Sequence, residues 1–461
     1  MRLCAAALDR LPAPVAPPGY DRAAQRRGIV HLGIGAFHRA HQVVYTDEAM
    51  AAGDRDWAIT GVSLRSAGVR DALGPQDGLY SVAERGPGGE RIRLAGAVRE
   101  VLVAPVDMGA VARALASPDT RVVTLTVTEK GYHRLPDGAL DVAAVERADS
   151  ALYHHLARAF TERRAAGLPG LTIVSCDNLP DNGRALGSSL TAWLDKAAPD
   201  LRPWFEAECA CPSTTVDRIV PATTPADLDR AEAALGLRDE GAIVTEPYRA
   251  WVIEDRFAGP RPRWEAGGAR FVGDVKPYET AKLRMLNGAH SALAYLGLLA
   301  GHAHVHEAVA DPAIRPVVER LMRNEAAASL DPAPDQNLDR YADELLARFA
   351  NPALPHLLAQ IATDGSQKIA GRWLEPLAVN GARGRSCPAT LRALAAWVVH
   401  VRGDERPVAD PLADGLAALW ARAGRAGIVD ALFGDRGLYA ERWRARPEDK
   451  EMLSRQIEAL A

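Results

Sequence analysis

The chain is poor in cysteine, with only Cys4, Cys176, Cys209, Cys211 and Cys387 in 461 residues. The number is odd, the spacing is irregular, and Cys209-x-Cys211 is not the two-residue spacing of a zinc knuckle. These features argue against a disulfide scaffold and for a reduced chain, so a cytoplasmic location is expected. Long apolar runs are missing too. The longest, Ala292 to Ala300, falls far short of the ~20 residues of a membrane span. The first residues show no charged segment leading into an apolar stretch, and no secretory signal is expected. Like charges do not cluster, and the formal net charge is only −4, so neither nucleic acid nor membrane is expected as a partner. A set of metal ligands is also lacking. His302, His304 and His306 alternate, but on a helix that spacing spreads them over different faces, and no metal is expected.

What remains is the composition of a globular protein, 48% hydrophobic and 25% charged, on a chain long enough for two or three cored domains. Short β-branched runs read as buried strands over 28–34, 57–64, 121–127 and 171–175, with a helix over 39–52. Strands alternating with helical stretches predict a doubly wound, mostly parallel α/β sheet. Near residue 276 the pattern turns Ala/Leu-rich at helical spacing, over 278–301, 306–328, 338–350, 388–402 and 411–423. The expected organisation is 1–276 as a dinucleotide-binding domain with extensions and 277–461 as a mainly helical domain.

Gly33-Ile34-Gly35 sits where the first strand turns into a helix. Glycine there lets backbone approach a pyrophosphate, and the helix start offers unpaired N–H groups. The third glycine of GxGxxG is absent, and His38 stands in its place. The same turn also reads as an ordinary strand–helix junction. In Phe37-His38-Arg39-Ala40-His41-Gln42, Arg39 has the planar fork to pair with a cofactor phosphate, or it is a solvated helix-start cation. After the second strand comes Arg65-Ser66-Ala67-Gly68, with no carboxylate before Asp71. NAD is the expected cofactor, with NADP left open because Arg65 and Ser66 tolerate a 2′-phosphate.

The segment 277–297 carries four polar groups on an apolar helix. With α-helical spacing and Lys282 at zero, Glu279 falls near roughly 60°, His290 near 80° and Asn287 near 140°. Alcohol oxidation needs a base for the hydroxyl proton, and a lysine serves when burial or a neighbouring cation lowers its pKa. Asparagine NH₂ groups stabilise the charge that develops on oxygen. A second asparagine, Asn178, follows the 171–175 strand at its carboxyl end, where open α/β sheets bind ligands. The same residues also read as a Lys282–Glu279 ion pair, a capping asparagine, a core histidine and an Asx turn before Pro180.

Seven blocks in order now carry a resemblance. They are Ile29 to Gln42, Leu125 to Tyr132, Ser175 to Gly183, Val216 to Pro221, Trp251 to Phe257, Lys282 to Gly297 and Asp364 to Lys368. From about residue 27 to 440 the chain resembles the mannitol dehydrogenase family, the polyol-specific long-chain dehydrogenases and reductases. The resemblance implies an N-terminal Rossmann-type sheet followed by a mainly helical C-terminal domain. It implies a metal-independent, NAD(P)-dependent alcohol–ketone oxidoreductase, usually monomeric, acting on an acyclic sugar derivative. It makes Lys282 the general acid/base. Asn178 and Asn287 become holders of the reacting oxygen, His290 and Asp217 substrate-hydroxyl contacts, and Glu279 a carboxylate linked to proton movement. Lys368 and Gln360 fall at the substrate pocket, and Gly33, Ile34, Gly35, Phe37 and Arg39 at the cofactor. The forms Lys282 to Gly288, Gln360 to Lys368 and Phe37 to Gln42 are most similar to fructuronate reductases. The reaction expected is D-mannonate + NAD to D-fructuronate + NADH, with mannitol 2-dehydrogenation as the alternative.

Overall fold

The computed structural model describes residues 1–149, 151–404 and 406–460. The chain divides into two compact units, Met1–Val275 and Lys276–Ala461.

In the first unit the strands run in chain order as β1 (Ile29–Leu32), β2 (Ile59–Ser63), β3 (Tyr80–Gly86), β4 (Gly89–Ala95), β5 (Val98–Val103) and β6 (Val122–Leu125). They continue as β7 (Thr172–Ser175), β8 (Thr214–Asp217), β9 (Ile243–Thr245), β10 (Ala250–Glu254) and β11 (Arg270–Val272). The main sheet has the order β5-β2-β1-β6-β7, parallel throughout. Strand order reverses between β1 and β6, the switch point at which a doubly wound sheet binds its ligand.

Both faces of this sheet are covered, which is why its strands read as continuous apolar runs. Side chains alternate between faces. Val30, Leu32, Val123, Leu125 and Ile173 enter one core, and Ile29, Ile59, Val122 and Val174 enter the other. His31 and Thr124 fall on the second face, so a polar pair lies at the carboxyl end of an otherwise apolar surface.

The expected strands over 28–34, 57–64, 121–127 and 171–175 are β1, β2, β6 and β7. Sequence reading did not reveal β5, whose Arg99 and Glu100 interrupt its valines at the sheet edge. It also missed two three-stranded sheets, β4-β3-β9 and β11-β10-β8. Charged residues interrupt β3 and β4, and β9 and β11 are only three residues each, so no long apolar run marks these sheets. The single helix expected over 39–52 is two, Ala36–Ala40 and Gln42–Ala51. His41 breaks it with φ −116° and ψ −83°, and its ring donates from Nε2 to the Ala250 carbonyl of β10 at 2.9 Å.

The second unit is helical and has its own core. Ala289, Ala292, Leu293 and Leu296 of helix Gly288–Leu299 pack with helix Pro388–His400, which also packs on Pro447–Leu460. Buried Glu325 accepts from Ala389 N at 2.9 Å and Thr390 N at 2.7 Å, capping Pro388–His400 at its positive end. The helix expected over 306–328 is divided into Val305–Ala310, Arg315–Arg320, a π-helical Leu321–Ala326 and a short 3-10 turn, with Pro312 and Pro316 at the first break. The 411–423 stretch extends as Ala413–Phe433, bent at Gly424.

Candidate active site

The glycine turn is built from two glycines with different reasons. Gly33 has φ +94°, and a Cβ there would lie 2.1 Å from the Thr126 carbonyl oxygen. The turn therefore presses against the loop after β6. Gly33 N and Ile34 N both donate to Val62 O, at 2.8 and 3.1 Å. Gly35 is extended, and a Cβ there would meet only Gly33 O at 3.7 Å. No protein packing demands a glycine at 35. Its missing side chain leaves backbone open at the start of helix Ala36–Ala40, where the first N–H groups have no intrahelical partner. The turn thus fits a dinucleotide pyrophosphate.

His38 explains the departure from GxGxxG. The third glycine of that pattern allows close helix–strand packing. Here the His38 ring stacks on His31 of β1 with centroids 3.3 Å apart, so two imidazoles separate helix from strand. Thr126 Oγ1 donates to Gly33 O at 2.8 Å and therefore accepts from His31 Nε2 at 2.9 Å. His31 Nδ1 accepts from Thr124 Oγ1 at 2.7 Å. His38 Nδ1 donates to Gln42 Oε1 at 3.3 Å, and Gln42 Nε2 donates to His41 Nδ1 at 2.9 Å. Burial pushes His31 and His41 down to about 3 and His38 below its ordinary value, so the network is neutral at neutral pH. Sequence reading missed it, although His38, His41 and Gln42 lie within the FHRAHQ block.

Phe37 is half-buried and stacks on His41 with centroids 5.0 Å apart. Arg39 donates from Nη1 to Gly241 O at 2.8 Å and lies over the Tyr80 ring. One arm of its fork is committed inside the protein, which supports a structural strut better than the phosphate partner expected from sequence.

At the carboxyl ends of β6 and β7, Asp177 is the organiser that the sequence did not reveal. Its carboxylate accepts from Val127 N (3.0 Å), Thr128 N (2.8 Å) and Tyr132 Oη (2.9 Å), and burial raises its pKa. Asn178 follows it and is exposed. Asn182 Nδ2 donates to Asp177 O and Thr214 O, both at 3.0 Å, tying β7 to β8. Asp217 ends β8, half-buried, paired in register with Ala250, whose carbonyl receives His41. The glycine turn and the Asp217 strand are thus linked through one histidine.

In the second unit the lysine segment is not a uniform α-helix. Lys276–Ala281 is α-helical, Lys282–Asn287 is π-helical, and Gly288–Leu299 is α-helical again. Gly288 N donates to Leu283 O, five residues back. This corrects the angular positions derived from α-helical spacing. In an i→i+5 turn each residue advances less than the 100° of an α-helix, which brings Lys282 and Asn287 nearer to one side than the roughly 140° of α-helical spacing. Glu279 lies about a turn before and His290 about a turn after. All four are half-buried, while Met285, Leu286 and Ala289 fill the core. His290 contacts the Phe349 ring.

A second π-helical segment, Ala370–Leu374, packs against the first. Trp373 Nε1 donates to Gly288 O at 3.2 Å, and Arg372 Nη1 reaches Asn287 O at 3.4 Å. A Cβ on Gly371 would stand 3.1 Å from Leu283 Cδ2, so the two segments meet closely. Such segments recur at functional sites because they displace side chains from α-helical register.

Arg284 is committed elsewhere, donating to Ser329 O at 2.7 Å. Lys368 Nζ donates to Thr363 O at 2.6 Å within the DGSQK turn, and Gln360 is exposed beside that turn. These two lie on a separate turn from the lysine segment. His302 bonds to Asp311 and His304 to Glu307. Among the described residues, no group of three His, Cys, Asp or Glu is placed to hold a metal ion, and no helix is long and apolar enough to cross a membrane.

Comparison with known proteins agrees with this architecture. Residues 27–266 match the mannitol dehydrogenase Rossmann domain and residues 274–460 the mannitol dehydrogenase C-terminal domain. The chain is 40% identical to the uncharacterized oxidoreductase YeiQ of Escherichia coli (strain K12) over 94% of its own length and 91% of that protein's. It is 39% identical to the D-mannonate oxidoreductase of the same organism, covering 93% and 92%. Among solved structures, the Pseudomonas fluorescens mannitol 2-dehydrogenase in ternary complex with NAD and D-mannitol superposes with a TM-score of 0.82 at 34% identity, covering 100% of this chain and 97% of that one. With a parallel switch-point sheet ahead of a helical unit and both family domains matched in order, the chain belongs to the mannitol dehydrogenase family and is an oxidoreductase acting on CH–OH groups.

Proposed function

We propose that this protein interconverts D-mannonate and D-fructuronate with NAD, independently of metal, with Lys282 as general acid/base. The observation that carries the reading is the π turn Lys282–Asn287, whose end residues are both half-buried. The first unit is assigned to cofactor binding and the second to proton transfer.

Gly33, Ile34 and Gly35 would hold the pyrophosphate of the dinucleotide, which when bound would supply the hydride acceptor. In oxidation the Lys282 amine takes the hydroxyl proton as the C–H bond breaks toward the cofactor and the C=O bond forms; in reduction it returns that proton. Asn287 and Asn178 donate to the oxygen as it gains negative charge. Glu279 passes the lysine's proton toward water. His290 and Asp217 hold further hydroxyls, and Lys368 and Gln360 complete the substrate contacts. A monomer is sufficient for this chemistry.

The 34%-identical neighbour captured with D-mannitol favours a second reading, D-mannitol to D-fructose. A matrix of NAD(H) and NADP(H) against uronates and hexitols decides between them by kcat/KM, followed at about 340 nm. The first reading predicts its highest value with the D-mannonate and D-fructuronate pair. A higher value with D-mannitol and D-fructose would replace it with the second.

A further inference from the structure

Arg372 carries a charge that the proton-transfer chemistry does not use. It lies in the π-helical segment packed against Lys282–Asn287, half-buried, with its pKa lowered to about 10 by burial. Nη1 donates to Ser291 Oγ at 2.6 Å and reaches Asn287 O at 3.4 Å. Among the described residues, no carboxylate lies within ion-pair distance of it.

Other buried arginines show what a purely structural role looks like. Arg218 is paired with Glu84. Arg163 donates from both Nε and Nη1, to the backbone carbonyls of Pro169, Leu115 and Ser117. Arg372 is held by one terminal nitrogen only. Among the described residues its Nε and Nη2 have no acceptor, and neither atom is fully buried, so this edge is open to solvent. It is the edge through which a guanidinium grips a carboxylate with two parallel hydrogen bonds.

The anchors of Arg372 also set its position along the substrate. Asn287 and Ser291 are four residues apart on the helix that bears Lys282 and His290, a rise of ~6 Å. In D-mannonate the carboxylate is four carbon–carbon bonds from the carbon oxidised. With bonds of about 1.5 Å in zigzag, that is roughly 5 Å. A sugar acid whose reacting oxygen lies at Lys282 and Asn287, and whose chain follows the helix past His290, brings its carboxylate to the level of Ser291.

We infer that Arg372, oriented by Ser291, is the residue that recognises the substrate's carboxylate and selects sugar acids over hexitols. The inference rests on the sugar-acid reading proposed above. A neutral hexitol leaves the open edge without an anion, and a site built around such a bond rejects the analogue lacking it.

The test compares D-mannonate with D-mannonamide, which keeps the carbon chain and replaces the charged group by a neutral amide. In the native enzyme the acid has the higher kcat/KM. In Arg372→Gln the acid-to-amide ratio falls by about 50-fold or more, chiefly through KM for the acid. Arg372→Lys restores part of it. Ser291→Ala, which keeps the charge and loosens its orientation, lowers the ratio by several-fold. Equal losses on acid and amide in Arg372→Gln, with the ratio unchanged in Ser291→Ala, would make Arg372 a structural clamp and overturn the inference alone. Absence of turnover of any sugar acid by the native enzyme, with hexitols turned over, would overturn the sugar-acid reading and this inference with it.

Discussion

Gly33 and Thr126 are in such close approach that a single Cβ on the glycine would lie 2.1 Å from the threonine carbonyl oxygen. Two strand ends on either side of the switch point are therefore locked by the absence of one carbon. Gly35, two residues on, has only Gly33 O near its missing Cβ, at 3.7 Å. Gly33→Ala is expected to destabilise the fold by about 1–3 kcal/mol or more, since both φ and space oppose it. Gly35→Ala is expected to leave the unfolding midpoint within a degree or two while raising cofactor KM by about tenfold. Thermal unfolding alongside cofactor titration checks the pair. Equal destabilisation by both would remove the reason for assigning Gly35 to a ligand.

The stacked histidines give a pH signature. His31 and His41 are held at about 3 by burial, against ~6.5 in an unfolded chain. Because the folded values are depressed, the stability tied to these rings is fully present above about pH 6.5. It is lost as pH falls from there toward 3, since the unfolded state then binds the protons. At ~1.4 kcal/mol per pKa unit each ring accounts for several kcal/mol. Urea unfolding from pH 7.5 to 4.5 should show stability falling with acid, and His41→Asn should start less stable but fall with a slope shallower by about one proton. An unchanged slope in His41→Asn would contradict the assignment.

Beyond β2 the exposed residues Arg65 and Ser66 stand where a ribose-binding carboxylate would be. Ser66→Asp is expected to raise the NAD-to-NADP ratio of kcat/KM about tenfold, through a new bond to the ribose 2′-hydroxyl and repulsion of a 2′-phosphate. A ratio that does not move would place the adenosine ribose away from this strand end.

The parallel strands β1, β2, β6 and β7 are buried on both faces, so their apolar runs announced them. The α/β-then-helical architecture and the chain's family could be read from blocks such as FHRAHQ and KLRMLNG. The π turn was not legible. Nothing in Lys282-Leu283-Arg284-Met285-Leu286-Asn287 breaks helical spacing, and the segment packed against it, Ala370–Leu374, is remote in the chain. Asp177 was hidden for a similar reason, since its partners Val127, Thr128 and Tyr132 lie some 45 to 50 residues away in the chain. Arg372 follows Lys368 by four residues, but sequence could not show that its charge has only neutral partners.

The role of the Lys282 amine as proton carrier is tested most directly by single-turnover and steady-state oxidation of D-mannonate by Lys282→Ala. That role requires a fall in kcat of about 10³-fold or more, unfolding and cofactor affinity close to native, and partial recovery with added methylamine. Turnover within about tenfold of native, with no response to the added amine, would contradict it.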